Sequence, residues 1–102
     1  MYEAMNRFWV NEERHGEFEE VWTNRDRHLK GVPGFKNFKL LKGEAKEGRR
    51  PYISYSLWES EEEFWAWTKS EAFKKAHQNR TPEGIIMGPP EFNGYHVILD
   101  EN

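Results

Sequence analysis

The sequence predicts an α+β fold of the ferredoxin-like type, with a four-stranded antiparallel sheet and its helices on one face. Three observations lead to this fold class. The N-terminal residues alternate between two faces with a period of two, which is typical of a strand. Two later segments carry apolar residues at helical spacing, and between them a polar loop, GEAKEGRR, separates two strand-like segments. The resulting order, β-α-β-β-α-β, occupies one domain over residues 1–102.

The first strand has an unusual residue at its centre. One of its faces carries Tyr2, Ala4, Asn6, Phe8 and Val10. Asn6 stands in the middle of this mostly apolar face, where a strand normally carries valine or isoleucine. A buried amide costs free energy unless it is hydrogen-bonded, so we expect Asn6 to bond either the backbone or a ligand.

The first helix is predicted over residues 13–30. Its inward stripe at helical spacing is made of Phe18, Val21, Trp22, Arg25 and Leu29. Gly31 is the expected stop, and Pro33 prevents the helix from continuing.

Two strands are then predicted over residues 35–42 and 52–58. Ser60 precedes three glutamates, and its spacing to Glu63 is that of a capping box at the start of the second helical segment. Ser70, followed by Glu71, is a candidate N-cap for a second short helix that ends near residue 78. This segment is therefore either one kinked helix or two.

A long loop and a last strand complete the chain. Residues 79–90 are too rich in proline and glycine for a helix, and loops of this length are often functional lids. The apolar residues of this loop, which need cover, are Ile85, Ile86 and Met87. The last strand is predicted over residues 91–99.

The sheet face away from the helices also needs a cover, because aromatic residues such as Trp9 or Trp58 are expected on it. A second copy of the chain is the expected partner. The result is a homodimer whose two sheets close into an α+β barrel.

The composition restricts the class of function. A net charge of −3 provides no basic excess for phosphates, so nucleic acid is not an expected partner. The chain has no cysteine, which excludes disulfides and thiolate metal sites. Its N-terminus does not read as a secretory signal, and no apolar run approaches the roughly 20 residues that cross a bilayer. We expect a cytoplasmic protein that does not bind membranes.

Trp67 and His77 are the candidate functional residues of the second helical segment. No zinc-binding histidine motif, nucleophile elbow or phosphate loop is present. His77 either complements a helix dipole or faces a ligand, and Trp67 is either a core ring or the wall of a groove. On a straight helix, ten positions place the two side chains about 80° apart, so they border one groove. A kink near Ser70 brings them closer.

Three stretches of the sequence carry a family resemblance. The first is AMNRFWV, which contains Asn6, and the second is GVPGFKNFKLL, a helix-to-strand turn. The third follows the pattern W-x-S-x-x-x-F-x-x-W-x-K-S-x-x-F-x-x-x-H, with Trp58, Ser60, Phe64, Trp67, Lys69, Ser70, Phe73 and His77 in place. Over nearly its whole length the chain resembles the haem-degrading monooxygenases of the IsdG type, within the antibiotic biosynthesis monooxygenase superfamily.

The resemblance implies that haem is both cofactor and substrate. It makes His77 the axial ligand of the haem iron and puts Asn6 on the distal side, where its amide steers the oxygen chemistry toward a meso carbon. It also implies that Trp67 presses against the porphyrin and forces it out of plane. The expected reaction opens the ring with O2 and releases iron, with electrons from an external donor such as a reductase.

Two residues of the first helix extend this hypothesis. We expect Trp22 to line the haem pocket. We expect Arg25 to meet a haem propionate, because an inward arginine on an apolar stripe needs an anionic partner. Arg80 is a second propionate candidate, and the apolar loop residues supply further walls.

Three alternatives remain open at the level of the sequence. A cofactor-independent monooxygenase would bind a quinol or polyketide phenol through Asn6 and Trp67, with His77 only capping its helix. A non-catalytic haem-binding module would hold haem through His77 without consuming it. A dimer with only a scaffold role would bind no ligand.

Overall fold

The computed structural model describes residues 1–77 and 81–102. The described residues form four strands and three α helices: β1 (Tyr2–Asn11), α1 (His15–Asn24), β2 (Phe35–Lys42), β3 (Arg49–Trp58), α2 (Glu61–Thr68), α3 (Glu71–Ala76) and β4 (Glu91–His96). A 3-10 turn, Glu12–Arg14, leads into α1. The strands form one antiparallel sheet in the order β2-β3-β1-β4. The predicted ferredoxin-like arrangement is confirmed.

The helices cover one face of the sheet through two separate aromatic clusters. One cluster, which we call the first cluster, contains Tyr2, Ala4, Leu29, Trp58 and Phe64. The other, the second cluster, contains Val10, Phe18, Trp22, Tyr52 and Ile85. On β1 the first cluster takes residues 2 and 4 and the second takes residue 10, so Asn6 lies between them. Large rings therefore pack both ends of this sheet face and leave its middle thinly filled.

The predicted end of the first helix, residue 30, is wrong, because α1 ends at Asn24. Arg25 adopts an extended conformation (φ −79°, ψ 132°). Arg27 Nη1 donates to the carbonyl of Trp22 at 2.8 Å, and Asp26 Oδ1 accepts from the backbone N–H of His28 at 2.9 Å. Arg27 thus satisfies a carbonyl in the last turn of α1, and Asp26 satisfies a backbone N–H beyond it, so the chain leaves the helix six residues early.

The second helical segment is two helices, each with a serine cap. Ser60 Oγ accepts from the N–H of Glu63 at 3.3 Å, which confirms the predicted cap. Ser70 Oγ accepts from the N–H of Phe73 at 3.2 Å and donates to the carbonyl of Trp67 at 2.6 Å. Ser70 therefore joins the end of α2 to the start of α3.

The apolar loop residues form backbone hydrogen bonds with the end of β1. The Asn11 N–H donates to the carbonyl of Ile85 at 2.8 Å, and the Met87 N–H donates to the carbonyl of Trp9 at 2.7 Å. Ile85 is fully buried in the second cluster, whereas Met87 is exposed. Only part of this apolar segment is therefore available to line a site.

The last strand is shorter than predicted and lies at the edge of the sheet. It ends at His96 rather than residue 99, and Ile98 and Leu99 are 96% and 73% exposed. Gly94 is opposite Ala4 in the register, and a Cβ at this position would lie 1.8 Å from Tyr2 Oη. Glycine here is what allows the buried Tyr2 ring to approach β4.

The expectation for Trp58 is wrong, because this ring is fully buried on the helix-covered face. It pairs with Tyr2 in the register, and this pairing decides its face. Trp9 lies on the other face, as predicted, with the guanidinium of Arg49 4.1 Å from its ring centroid. No helix in the described ranges is long and apolar enough to cross a membrane.

Candidate functional site

A cavity of about 670 Å³ lies between the two aromatic clusters, bounded by the sheet and the helices. Its volume is in the range of small-molecule binding sites. The five residues singled out from the sequence, Asn6, Trp22, Arg25, Trp67 and His77, all line it. The fold thus brings together residues from the first and the last third of positions 1–77.

The floor of the cavity is the middle of the sheet. Asn6 on β1 lies opposite Ser54 on β3 and Phe92 on β4, and all three line the cavity. Ala4 and Ser56 extend this floor with small side chains. Within residues 1–77 and 81–102, the Asn6 amide makes no hydrogen bond, so it is available to a ligand.

Trp67 forms one wall and is held by other rings. Its ring centroid lies 5.4 Å from that of Trp58, and Phe73 meets it edge-on at 4.8 Å. Its Nε1 is buried and has no hydrogen-bond partner among the described residues, and the same is true of Trp22 Nε1. The indole of Trp67 therefore has a fixed orientation and an unused donor.

His77 is positioned by the end of α3. It is the C-cap residue, and its Nδ1 donates to the carbonyl of Phe73 at 2.8 Å. The imidazole also stacks on the Phe73 ring, with centroids 4.0 Å apart and planes at 26°. Since a carbonyl only accepts, Nδ1 carries a proton, and the tautomer of neutral imidazole that fits this bond has its lone pair at Nε2. This is the tautomer that a metal-binding histidine needs.

The predicted grouping of Trp67 with His77 is confirmed, because their ring centroids are 6.3 Å apart. The turn at Ser70 between α2 and α3 brings them together. His77 is exposed, so its ring can be reached from solvent as well as from the cavity.

Two arginines contribute positive charge to the cavity. The Arg25 guanidinium lies 4.7 Å from the Trp22 ring centroid, and that of Arg27 lies 4.7 Å from the Phe38 ring centroid. Burial, and secondarily the charge of Arg27, lowers the pKa of Arg25. Two cations that repel each other beside an apolar cavity are stabilised by an anionic ligand. Arg80, the other predicted propionate candidate, lies outside the described residues.

Sequence reasoning missed Arg27, Trp65 and Phe92, which also line the cavity. Arg27 follows Arg25 by two residues, but its position depends on the early end of α1. Trp65 and Phe92 lie with their centroids 5.5 Å apart, and both are partly exposed. Trp65 Nε1 donates to Glu61 Oε2 at 3.0 Å, which orients its indole. Alternation in the last strand was the signal that could have identified Phe92 as a cavity residue, because it lies opposite Asn6.

The apolar loop contributes less than predicted. Ile86 lines the cavity, whereas Ile85 belongs to the core and Met87 is not among the lining residues. The backbone pairing with β1 explains this, because it fixes which side chains of the loop face inward.

Comparison with known proteins identifies a family and relatives that match part of this chain. The model of the antibiotic biosynthesis monooxygenase family matches residues 1–79. A Staphylococcus haemolyticus protein named heme oxygenase (staphylobilin-producing) is 38% identical over 61 residues, which cover 60% of this chain and 59% of that protein. A Mycobacterium tuberculosis protein named heme oxygenase (mycobilin-producing) is 30% identical over 84 residues, covering 82% of this chain and 76% of that protein.

A solved structure shares the complete fold. It is a heme-degrader from Mycobacterium tuberculosis with two hemes bound in its active site, and it covers 100% of both chains at 26% identity with a TM-score of 0.78. The family resemblance that the sequence predicts is therefore confirmed.

The unused indole donor of Trp67 leads to a stability prediction for the ligand-free protein. Trp58 Nε1 donates to Ser56 Oγ at 2.8 Å, whereas Trp67 Nε1 has no partner among the described residues. We expect Trp58→Phe to lower the free energy of unfolding by about 2 kcal/mol, and Trp67→Phe by less than about 1 kcal/mol. Urea unfolding followed by circular dichroism measures both. Equal losses would mean that the Trp67 indole N–H is already satisfied.

Proposed function

This chain belongs to the antibiotic biosynthesis monooxygenase family, and from that premise we propose that it is a haem-degrading monooxygenase. It binds haem as substrate, opens the porphyrin ring with O2 and external electrons, and releases iron. The observation that carries this proposal is the position of His77, whose Nδ1–H is bound to the Phe73 carbonyl and whose ring lines an aromatic cavity. The haem-degrading relatives support it.

The residues present fit haem, which is flat, largely apolar, carries two carboxylates and needs an axial ligand. The walls Trp22, Trp67 and Phe73 offer apolar ring surfaces. Arg25 and Arg27 offer cations for propionates. Neutral imidazole is a suitable ligand for iron, and His77 supplies it through Nε2.

Asn6 and Trp67 have separate roles in this proposal. Bound haem supplies the redox-active iron and the ring that is oxidised. The Asn6 amide on the cavity floor makes no hydrogen bond within the described residues, so it would be able to donate one that directs the reaction to one part of the ring. Trp67 is held by Trp58 and Phe73, so its indole would keep its position as a wall against a bound flat ligand.

The reaction needs electrons from outside the protein. Ring opening with O2 consumes reducing equivalents, and side chains such as imidazole, amide and indole do not supply them. We therefore assign the electrons to a separate reductase and the reaction to the cytoplasm, a reducing compartment.

His77 is the residue whose loss tests haem ligation. Haemin titrated into the protein should give a saturable, sharpened Soret band, which ascorbate in air with catalase converts to a bilin-like spectrum. His77→Ala should weaken haemin affinity at least tenfold and abolish the conversion, because it removes the axial nitrogen. His15→Ala is the matched control, since His15 does not line the cavity.

The other outcomes of this titration separate the alternatives. A Soret band that forms and persists under reductant and oxygen would indicate a haem-binding module without catalysis. The absence of any saturable Soret change would overturn the proposal and favour a quinol or polyketide phenol as substrate.

Arg25 is proposed to bind a haem propionate. Arg25→Ala should weaken haemin binding about tenfold, because it removes a charge-assisted hydrogen bond. With haemin dimethyl ester, whose propionates carry no charge, wild type and variant should bind alike. Fluorescence quenching of the tryptophans measures both affinities, and Arg7→Ala, on the other sheet face, is the control. An equal loss with the ester would assign Arg25 a structural role instead.

We also infer that the protein is a homodimer of one domain per chain, residues 1–102, with the open sheet face as its interface. This face carries the partly exposed apolar side chains Met5, Leu41, Ile53, Leu57 and Tyr95. The exposed Ile98 and Leu99 follow the edge strand. Exposed apolar patches of this kind mark interaction surfaces, and a self-complementary sheet face suits two-fold pairing.

The oligomeric state is measured by light scattering coupled to gel filtration. Wild type should have about twice the mass of the 12.3 kDa chain. Ile53→Glu should yield monomers, because it places a charge at the centre of the proposed interface. Glu20→Lys, on the exposed side of α1, should remain dimeric. A wild-type mass of one chain would contradict the inference.

A further inference from the structure

Ser54 is a polar residue of the cavity floor that the proposed function leaves without a role. It lies on the central strand β3, opposite Asn6 on β1 and Leu40 on β2. Its side chain is partly exposed and lines the cavity. Directly opposite residues of an antiparallel pair have Cβ atoms about 4.5–5.5 Å apart, so the Ser54 hydroxyl and the Asn6 amide are neighbours on one floor.

The Ser54 hydroxyl is available to a ligand. Ser56, two residues along the same strand face, accepts the indole N–H of Trp58 at 2.8 Å and is thereby used in the core. Across residues 1–77 and 81–102, Ser54 makes no side-chain hydrogen bond. The two serines thus have different positions in the same strand: one supports the first cluster, and the other faces the cavity.

Serine at this position is not explained by strand formation. A central strand that packs on helices usually carries valine or isoleucine at its inward positions. The Ser54 hydroxyl leaves the space above the sheet open and places a group there that both donates and accepts. Two adjacent side chains with free hydrogen-bonding groups on an otherwise apolar floor can hold one small polar ligand between them.

We propose that Ser54 and Asn6 form a two-point hydrogen-bonding site for a small polar ligand, such as water or a small anion, on the cavity floor beside the bound substrate. The Asn6 amide N–H donates to this ligand, and the Ser54 hydroxyl donates to or accepts from it. This inference rests on the proposed function, because the ligand is expected to lie between the floor and the haem. It makes Ser54 a positioning residue for whatever small species occupies that space.

Azide is a suitable probe, because it ligates ferric haem and accepts hydrogen bonds. The decisive pair of variants is Ser54→Thr and Ser54→Val, which have the same shape and differ only in the hydroxyl. We expect the haemin-loaded Thr variant to bind azide with an affinity near that of wild type. The Val variant should bind it about three- to tenfold more weakly, because one hydrogen bond is lost. Ser54→Ala should behave like the Val variant, which separates hydroxyl loss from added bulk.

The haemin titration distinguishes failure of the Ser54 proposal from failure of the proposed function. Haemin affinity itself should stay within about twofold in the variants, since the hydroxyl is not an iron ligand. Equal azide affinity in the Thr and Val variants, with haemin bound normally, would overturn the role of Ser54 and leave the proposed function intact. A wild-type protein that binds no haemin would overturn both.

Discussion

The site depends on the separation of two aromatic clusters on one face of a four-stranded sheet. Large rings fill both ends of this face, and several side chains of β1 and β3 that line the cavity are small or polar: Ala4, Asn6, Ser54 and Ser56. Protein interiors are normally close-packed, so a gap of about 670 Å³ forgoes many dispersion contacts. Burial of several large rings, each contributing about 1.5–3 kcal/mol, allows the fold to tolerate this gap.

The position of His77 follows from a chain of local causes. Ser70 ends α2 through the carbonyl of Trp67 and starts α3 through the N–H of Phe73. The last turn of α3 then places the Phe73 carbonyl next to His77, and the hydrogen bond from Nδ1 to this carbonyl selects the tautomer. A hydroxyl seven residues away thus determines which imidazole nitrogen is available.

Local patterns allowed much of this architecture to be predicted. Alternation identified β1 and the anomaly at Asn6, and serine caps indicated either a kink or a break at Ser70, which the structure shows to be a break between α2 and α3. Properties that depend on pairing or on competing side chains could not be predicted. The face of Trp58 is decided by its register with Tyr2. The end of α1 is decided by hydrogen bonds from Asp26 and Arg27 to the backbone, which hydrophobic periodicity does not reveal. Arg27 and Phe92 became recognisable as cavity residues only after these relations were known.

The two short helices on one side of the cavity have a thermodynamic consequence. α2 and α3 contain eight and six residues, and such helices are stable only through the surfaces they pack against. A ligand in the cavity adds to that surface and stabilises the folded state in proportion to the logarithm of its concentration. If the ligand is also consumed, each turnover removes the added stability. The rigidity of this protein would then follow the supply of its own substrate, with the helices loosest when that supply is exhausted.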